Sequence, residues 1–422
     1  MDQGNTAFLL FSAALVLLMT PALAFFYGGL VKAKSVISMM MLSFGSLALI
    51  SVIWVIYGYA ITFSNGGTDT FYGIDGVFGI DTAYIGLEGL LVTPEGAMFP
   101  PLAFAAFQAT FAIITVALIS GAIADRAKFG AWLVFAGVWA TIVYFPVASW
   151  VFNFTVTDGV ITDGGWIAYN VGAIDFAGGT AVHINAGAAA LALALVLGKR
   201  IGFAKGVDKP HNVPLVLLGA GLLWFGWFGF NAGSELAADG IAALAFINTI
   251  AAPAAGILGW LIVERIKEGK ATAVGAASGA VTGLVAITPA CASISPMWAI
   301  VLGLVSGAIC ALAIELKFKL GFDDSLDVVG IHLIGGLIGT LFIGFFATDV
   351  GLLDSGSLDQ LGKQAIAAFT VMIFSFVLSY IIGTIIEKTM GFRIKNEDEL
   401  AGIDNSVHGE EGYSLETVSA LR

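Results

Sequence analysis

Charge is what this sequence has least of. Only 11% of its 422 residues are Asp, Glu, Lys or Arg, against 58% hydrophobic. A soluble domain carries about 25% charged residues to cover its surface, so a water-soluble globular protein is excluded. Cysteine is nearly absent. Cys291 and Cys310 lie in or at the end of apolar segments, make no disulfide framework and match no metal spacing, and read as small apolar residues. Acidic residues outnumber basic ones 30 to 18, and nothing in the chain suggests a nucleic-acid partner. No nucleophile, base and orienting group can be assembled from the chain, so no enzymatic activity, metal or cofactor is expected. No basic residue precedes Lys32. Ala22-Leu23-Ala24 has the form of a signal-peptidase site, but the segment before it lacks a basic n-region and reads as a permanent first helix.

What is abundant is apolar length. Spans of about 20 apolar residues are what a bilayer core requires, and hydropathy places them at 7–29, 36–63, 98–124, 128–153, 178–198, 213–233, 240–262, 272–291, 296–318, 330–348 and 365–388. The 54 glycines fit close helix packing in such a chain, as in Gly275, Gly279 and Gly283. Eleven spans put 17 of the 18 basic residues, from Lys32 through Lys205 to Arg422, on the side of the C-terminus, leaving only Lys363 opposite. That asymmetry predicts an outside N-terminus and an inside C-terminus. Two long outer loops, 64–97 and 154–177, carry acids, Asp158 among them, and no base. They serve solubility and also attract cations. The expected division is a transmembrane domain over 1–390 and a polar cytoplasmic tail over 391–422, either disordered or docked.

Two of the four histidines lie inside spans. Span five follows Asp175 and contains His183; span ten follows Asp327 and contains His332. Because the two spans run in opposite directions, the pattern fits inverted halves of five helices each, plus an eleventh helix, with both histidines near the midplane. Ionisable residues at membrane depth are costly and face a pore or a partner. Two imidazoles can share a hydrogen bond, one nitrogen donating and one accepting, which suits a small hydrogen-bonding solute or a proton relay. Each Asp stands where a helix N-terminus favours negative charge. Asp175 reads first as a cap and second as a carboxylate near a pore mouth, and Asp327 reads as a structural cap. The run 223–234, Leu-Trp-Phe-Gly-Trp-Phe-Gly-Phe-Asn-Ala-Gly-Ser, puts Phe230 and Ser234 one turn apart. A hydroxyl beside an aromatic face suits a small cation. His211 and His408 fall in a basic loop and in the tail, and are given no part in transport.

With these residues assembled, the chain resembles the ammonium transporter family (Amt/Mep/Rh), its bacterial and archaeal Amt branch above all. The resemblance runs through Asp175-Phe-Ala-Gly-Gly-Thr-Ala-Val-His183, Gly226-Trp-Phe-Gly-Phe-Asn-Ala-Gly-Ser234, Asp327-Val-Val-Gly-Ile-His332, Gly402-Ile-Asp404 and His408-Gly-Glu410. It implies eleven helices with inverted five-helix halves, a homotrimer with one pore per subunit, and a multi-pass protein of the cytoplasmic membrane. Carried over by position, His183 and His332 are paired pore histidines. Ser234 accepts from ammonium in an outer vestibule with Phe107 and Phe111, and Asp175 lies beneath it. Phe111 and Phe230 form a stacked gate, and Trp227 lines the pore. Phe152 stands where the family commonly has tryptophan, and a phenyl face is a weaker cation–π partner than indole. Trp150 and Trp166 remain alternatives for that place.

The reading that follows is transport. Ammonium is recruited outside and deprotonated, and ammonia passes between the histidines, as a neutral flux or with the proton following. A PII-type signal protein is the expected cytoplasmic partner. An ammonium-sensing receptor signalling through the tail is the alternative. A sodium-coupled transporter of larger solutes would need a roomier polar site than these spans offer.

Overall fold

The structure is a computed structural model that describes residues 1–413 apart from 65, 67, 158, 159 and 204–208. Asp158, Lys205 and Arg422 lie outside the described residues, as does the tail beyond 413.

Among the described residues, ten helices are long and apolar enough to cross a membrane. They are α1 (Gln3–Leu30), α2 (Ala33–Thr62), α3 (Pro101–Ile123), α4 (Phe129–Phe152), α5 (Gly179–Leu197), α6 (Val213–Glu235), α7 (Gly240–Glu268), α9 (Pro296–Leu320), α10 (Val329–Phe346) and α11 (Asp359–Thr389). One shorter apolar helix, α8 (Ala273–Ile287), lies between α7 and α9. It stops just before Pro289, which lacks a backbone N–H and cannot continue the ladder. The chain then makes buried turns through Thr288, Ala290 and Cys291, and Pro296 opens α9 at a first-turn position that suits proline. The expected eighth span is therefore shorter than hydropathy gave it, while α7 and α11 overrun theirs.

Glycines set the closest approaches. A Cβ on Gly283 or Gly303 would come within 2.6 or 2.0 Å of the Ala252 carbonyl oxygen, and one on Gly307 within 2.2 Å of that of Gly256. Helices α7, α8 and α9 thus touch backbone to backbone. Gly275 has a different neighbour, the Glu264 carboxylate.

The two ends of the bundle differ. At one end the long loops form antiparallel hairpins, β1 (Phe71–Ile74) with β2 (Phe78–Asp81), and β3 (Phe154–Thr157) with β4 (Val160–Gly164). Strands of four or five residues fell below what periodicity could reveal. The other end holds the basic loops and the tail, which is docked. The Asp404 carboxylate accepts from Ile37 N and Ser38 N at 3.0 and 2.7 Å. Glu399 accepts from Ile201 N at 2.6 Å and pairs with Arg393 at 2.7 Å. Tyr413 Oη lies 2.8 Å from His211 Nε2.

The expected cap at Asp327 is corrected. The helix start before His332 is capped by Asp324, whose carboxylate accepts from Val328 N at 3.1 Å and Val329 N at 2.7 Å. Asp327 has φ +61°, a left-handed conformation that Asp tolerates better than most residues. Its carboxylate turns to Lys317 Nζ at 2.5 Å.

Candidate functional site

The site begins with two helix starts. Asp175 Oδ1 accepts from Gly178 N and Gly179 N at 2.9 and 2.5 Å, and Oδ2 from Thr180 N and Ala181 N at 2.7 and 3.3 Å. The Thr180 hydroxyl also donates to Oδ2. One carboxylate thereby occupies the free N–H groups of the first turn. The turn is π-helical from Gly179 to Ile184 and carries His183. The matching turn from Val329 to Leu333 is also π-helical and carries His332. Such turns interrupt the regular ladder and re-aim side chains.

The two half-helices cross where glycine leaves room. A Cβ on Gly187 would sit 2.5 Å from Leu333 N, and one on Gly336 would sit 3.2 Å from His183 Cβ. At that crossing His183 Nδ1 and His332 Nδ1 are 3.2 Å apart. One Nδ1 must carry the proton and the other accept it. The rings are then opposite tautomers, one presenting an Nε2 lone pair and the other an Nε2–H. Both rings are buried, and His183 Nε2 has no partner among the described residues. The cavity beside the pair holds only about 10 Å³, close to the size of one water.

Aromatic rings lead from this pair to a larger cavity of about 410 Å³ at the hairpin end. His183 stacks on Trp227 at 5.6 Å and on Phe230 at 6.1 Å between centroids. Phe230 stacks on Phe111 at 4.2 Å with an interplanar angle of 22°, and Phe152 meets Phe111 edge-on at 6.1 Å. Phe111 and Phe230 are 1% exposed; Phe111 lines the larger cavity and Phe230 the small one beside the histidines, so their stack lies between the two. Trp227 is held by its Nε1–H, which donates to Thr288 Oγ1 at 2.9 Å.

Phe111, Phe152, Asp175 and Ser234 all line the larger cavity. The Ser234 hydroxyl donates to the Phe230 carbonyl at 2.8 Å. Its hydrogen is thereby committed, and its oxygen is left free to accept. Phe107 is fully buried, packs on Phe111 at 4.9 Å and is absent from the described wall of the cavity. Trp150 and Trp166 are absent from it too. Trp150 donates to the Val77 carbonyl at 2.5 Å, and the two indoles pack edge to face at 5.7 Å. Of these three residues, only Phe152 lines the described cavity. Sequence reasoning missed Gln108 and Glu235, which share the wall with Ser234; their adjacency to Phe107 and Ser234 was the available signal.

At the tail end a network of charges surrounds the start of α10. Arg200 makes a two-pronged contact with Asp323, with Nε at 2.9 Å from Oδ2 and Nη2 at 2.9 Å from Oδ1. Arg126, fully buried, donates to Ser325 Oγ and to the Asp323 carbonyl. Burial raises the Asp323 carboxyl, but hydrogen bonds from Arg200 and the charges of Arg126 and Arg200 outweigh it, and the group sits below its ordinary value. Burial dominates at Asp324 and pushes it up to about 6 despite Lys317.

Comparison with known proteins agrees across the chain. The family model described as Ammonium Transporter Family matches residues 7–413. A protein of Mycobacterium tuberculosis named Ammonium transporter is 51% identical, over 99% of this chain and 92% of its own length. Among solved structures, one named Sensor Amt Protein aligns with a TM-score of 0.86 at 28% identity, covering 96% of this chain and 98% of its own. Mep2 of Saccharomyces cerevisiae aligns with a TM-score of 0.84 at 32% identity, covering 94% of this chain and 88% of its own.

Proposed function

The chain belongs to the ammonium transporter family, and from that premise we propose that it recruits ammonium beside Ser234, removes a proton, and passes ammonia between His183 and His332. It is a multi-pass protein of the cell membrane, and its activity is the transport of ammonium rather than catalysis. The observation that carries the proposal is the unbroken series of rings from the 410 Å³ cavity through Phe111 and Phe230 to the histidine pair.

Ammonium in the cavity gives a hydrogen bond to Ser234 Oγ and faces the rings of Phe111 and Phe152. An ion carried further would lose its hydration in an apolar passage, at a cost of tens of kcal/mol for an isolated charge. Deprotonation removes that cost for ammonium, the proton being either released to the outer solution or following through the pore. Potassium has no proton to give and stays behind. The Phe111 and Phe230 stack acts as the gate, Trp227 lines the path, and the opposed imidazoles offer ammonia one donor and one acceptor. Asp175 stabilises positive charge above the gate through its field.

The reading includes eleven spans in inverted halves, with the hairpin end outside and the tail inside. Helix α8 has 15 residues, about 22 Å at 1.5 Å per residue, and the buried turns after it complete the crossing. Residues 1–390 form the transporting domain and 391–422 a regulatory tail. A cytoplasmic PII-type protein covering the exit is the partner this reading gives the tail, and the working unit is a homotrimer. Likeness to a structure named Sensor Amt Protein favours a second reading, in which ammonium binding is also reported through the tail.

Proteoliposomes given an ammonium step, with current and internal pH recorded together, test the proposal. Ammonia alone raises internal pH without current; ammonia with a following proton gives current with little pH change. Equal responses to potassium would refute the deprotonation step.

A further inference from the structure

Asp175 cannot be the acceptor that holds ammonium in the larger cavity. Its two oxygens already take four backbone N–H groups and the Thr180 hydroxyl. Ser234 Oγ is one open acceptor, and a tetrahedral cation has four N–H groups to place. Two further polar side chains share that wall. Gln108 is 7% exposed, and among the described residues its amide makes no hydrogen bond. A buried amide aimed into a cavity without a protein partner is poised for a ligand. Glu235 follows Ser234 in the chain, is half-buried, and forms no ion pair with any described base. Its charged neighbour is another acid, Asp239, whose Oδ1 accepts from Ile241 N and Ala242 N at 2.9 and 3.1 Å. With one shared proton or none, the two carboxylates keep a net negative charge. No Lys, Arg or His lines the described cavity to offset it.

We propose that Glu235 and Gln108 are further ammonium-recognition residues of this cavity. Glu235 supplies the attraction for the charge, and Gln108 Oε1 supplies a second hydrogen-bond acceptor beside Ser234 Oγ. The inference rests on reading this cavity as the recruitment site. It also accounts for Phe152. Where a phenyl face replaces an indole, cation–π attraction weakens, and a carboxylate in the same wall restores it. Attraction to a half-exposed carboxylate is screened by salt, whereas a hydrogen bond to an amide oxygen is not. The two contributions are therefore separable.

The test is ammonium uptake into proteoliposomes by the full chain, measured against ammonium concentration at low and high ionic strength. Glu235→Gln keeps the shape and removes the charge. It is expected to raise the half-saturating concentration about 3- to 10-fold at low salt and less at high salt, with Glu235→Asp recovering part of the loss. Gln108→Met keeps the length and removes the acceptor. It is expected to raise the half-saturating concentration about equally at both ionic strengths. Glu88→Gln removes an exposed acid outside this wall and is expected to follow the unmodified protein. If Ser234→Ala raises the half-saturating concentration while Glu235→Gln and Gln108→Met do not, this inference falls and the recruitment site stands. If Ser234→Ala also leaves it unchanged, the recruitment site falls with it. A loss from Glu88→Gln equal to that from Glu235→Gln would reduce Glu235 to general surface charge and overturn its assignment.

Discussion

Around His183 the chain runs from a capping Asp175 through a left-handed Gly178 (φ +112°) into a π-helical turn. Around His332 it runs from a capping Asp324 through a left-handed Asp327 (φ +61°) into another. Cap and histidine are eight residues apart in both, and the left-handed residue is third after the cap in both. The surroundings diverge. Asp175 takes five donors and borders a cavity of about 410 Å³. Asp324 takes two backbone donors and is 1% exposed. Lys317, itself buried, donates to the Asp324 carbonyl at 3.0 Å and pairs with Asp327. The shared frame aims the histidines at each other. What faces the frame differs: a cavity borders one start, and a buried lysine occupies the other.

The largest effect expected is at the point where the two segments meet. Replacing His183 or His332 with Ala leaves the other Nδ1 without its 3.2 Å partner. An unsatisfied buried group costs about 1–3 kcal/mol. Flux of ammonium or discrimination against potassium should fall about tenfold or more while the protein still inserts and assembles. Because the pair shares one interaction, the double variant should fall short of the sum of the singles. Uptake assays with ammonium and with potassium read this directly. Unmodified flux and selectivity in both single variants would make the histidines structural.

The capping acids break the comparison next. Asp324→Ala strands two backbone N–H groups with no open cavity to bring water, while Lys317 keeps the main-chain carbonyl and Asp327, and should destabilise by about 2–4 kcal/mol. Asp175→Ala strands more donors, but its cavity lets water reach them, so about 1–2 kcal/mol is expected. Thermal unfolding in detergent would show the ranking, and the reverse order would contradict it.

A pH series separates the acid from its neighbour. The folded Asp324 carboxyl, pushed up to about 6 from 3.8, is raised above its unfolded value. Its contribution is therefore fully present below about pH 4 and lost as pH rises through about 6, at most about 3 kcal/mol in all. Asp323 has the opposite sign, since the arginines hold it low. Its contribution is present above its unfolded value and lost as pH falls through the folded one. The stability of the unmodified protein minus that of Asp324→Asn should decline between about pH 4 and 6. A flat difference would remove the burial account.

Much of this was legible in the sequence, because a bilayer leaves few ways to spend charge. The apolar runs marked the helices, and two ionisable rings inside them marked the crossing. The second cap was misplaced because Asp327 and His332 sit in a recognisable run. The equal eight-residue spacing from Asp324 was the better guide. Gln108 and Glu235 stayed hidden because an amide beside an aromatic and an acid at a helix end look alike whether they face solvent or a cavity. Phe107 shows the converse: its place in Phe107-Gln-Ala-Thr-Phe111 suggested the vestibule, yet packing on Phe111 takes it out of the wall.

The smallest effect belongs to the two histidines outside this frame. His211 Nδ1 faces the Val31 carbonyl at 2.8 Å, and a carbonyl only accepts, so Nδ1 carries the proton. Neutral His211 then accepts at Nε2 from the Tyr413 hydroxyl at 2.8 Å. His408 packs edge-on against Phe129 at 5.5 Å. Both lie at the tail end, away from the ring series. Water can replace the His211 contacts at a half-exposed site, so His211→Ala should cost no more than about 1 kcal/mol and leave ammonium flux within about twofold. Its visible consequence should be at the tail. Without its acceptor Tyr413 is less firmly held, and limited proteolysis near the C-terminus should speed up while uptake stays level. His408→Ala should do less still, because the ring's contact with Phe129 is the weaker tie. Flux in His211→Ala falling as far as in His183→Ala would mean that the docked tail controls the path itself, and the contrast between an imidazole pair in the pore and imidazoles that merely hold the tail would collapse.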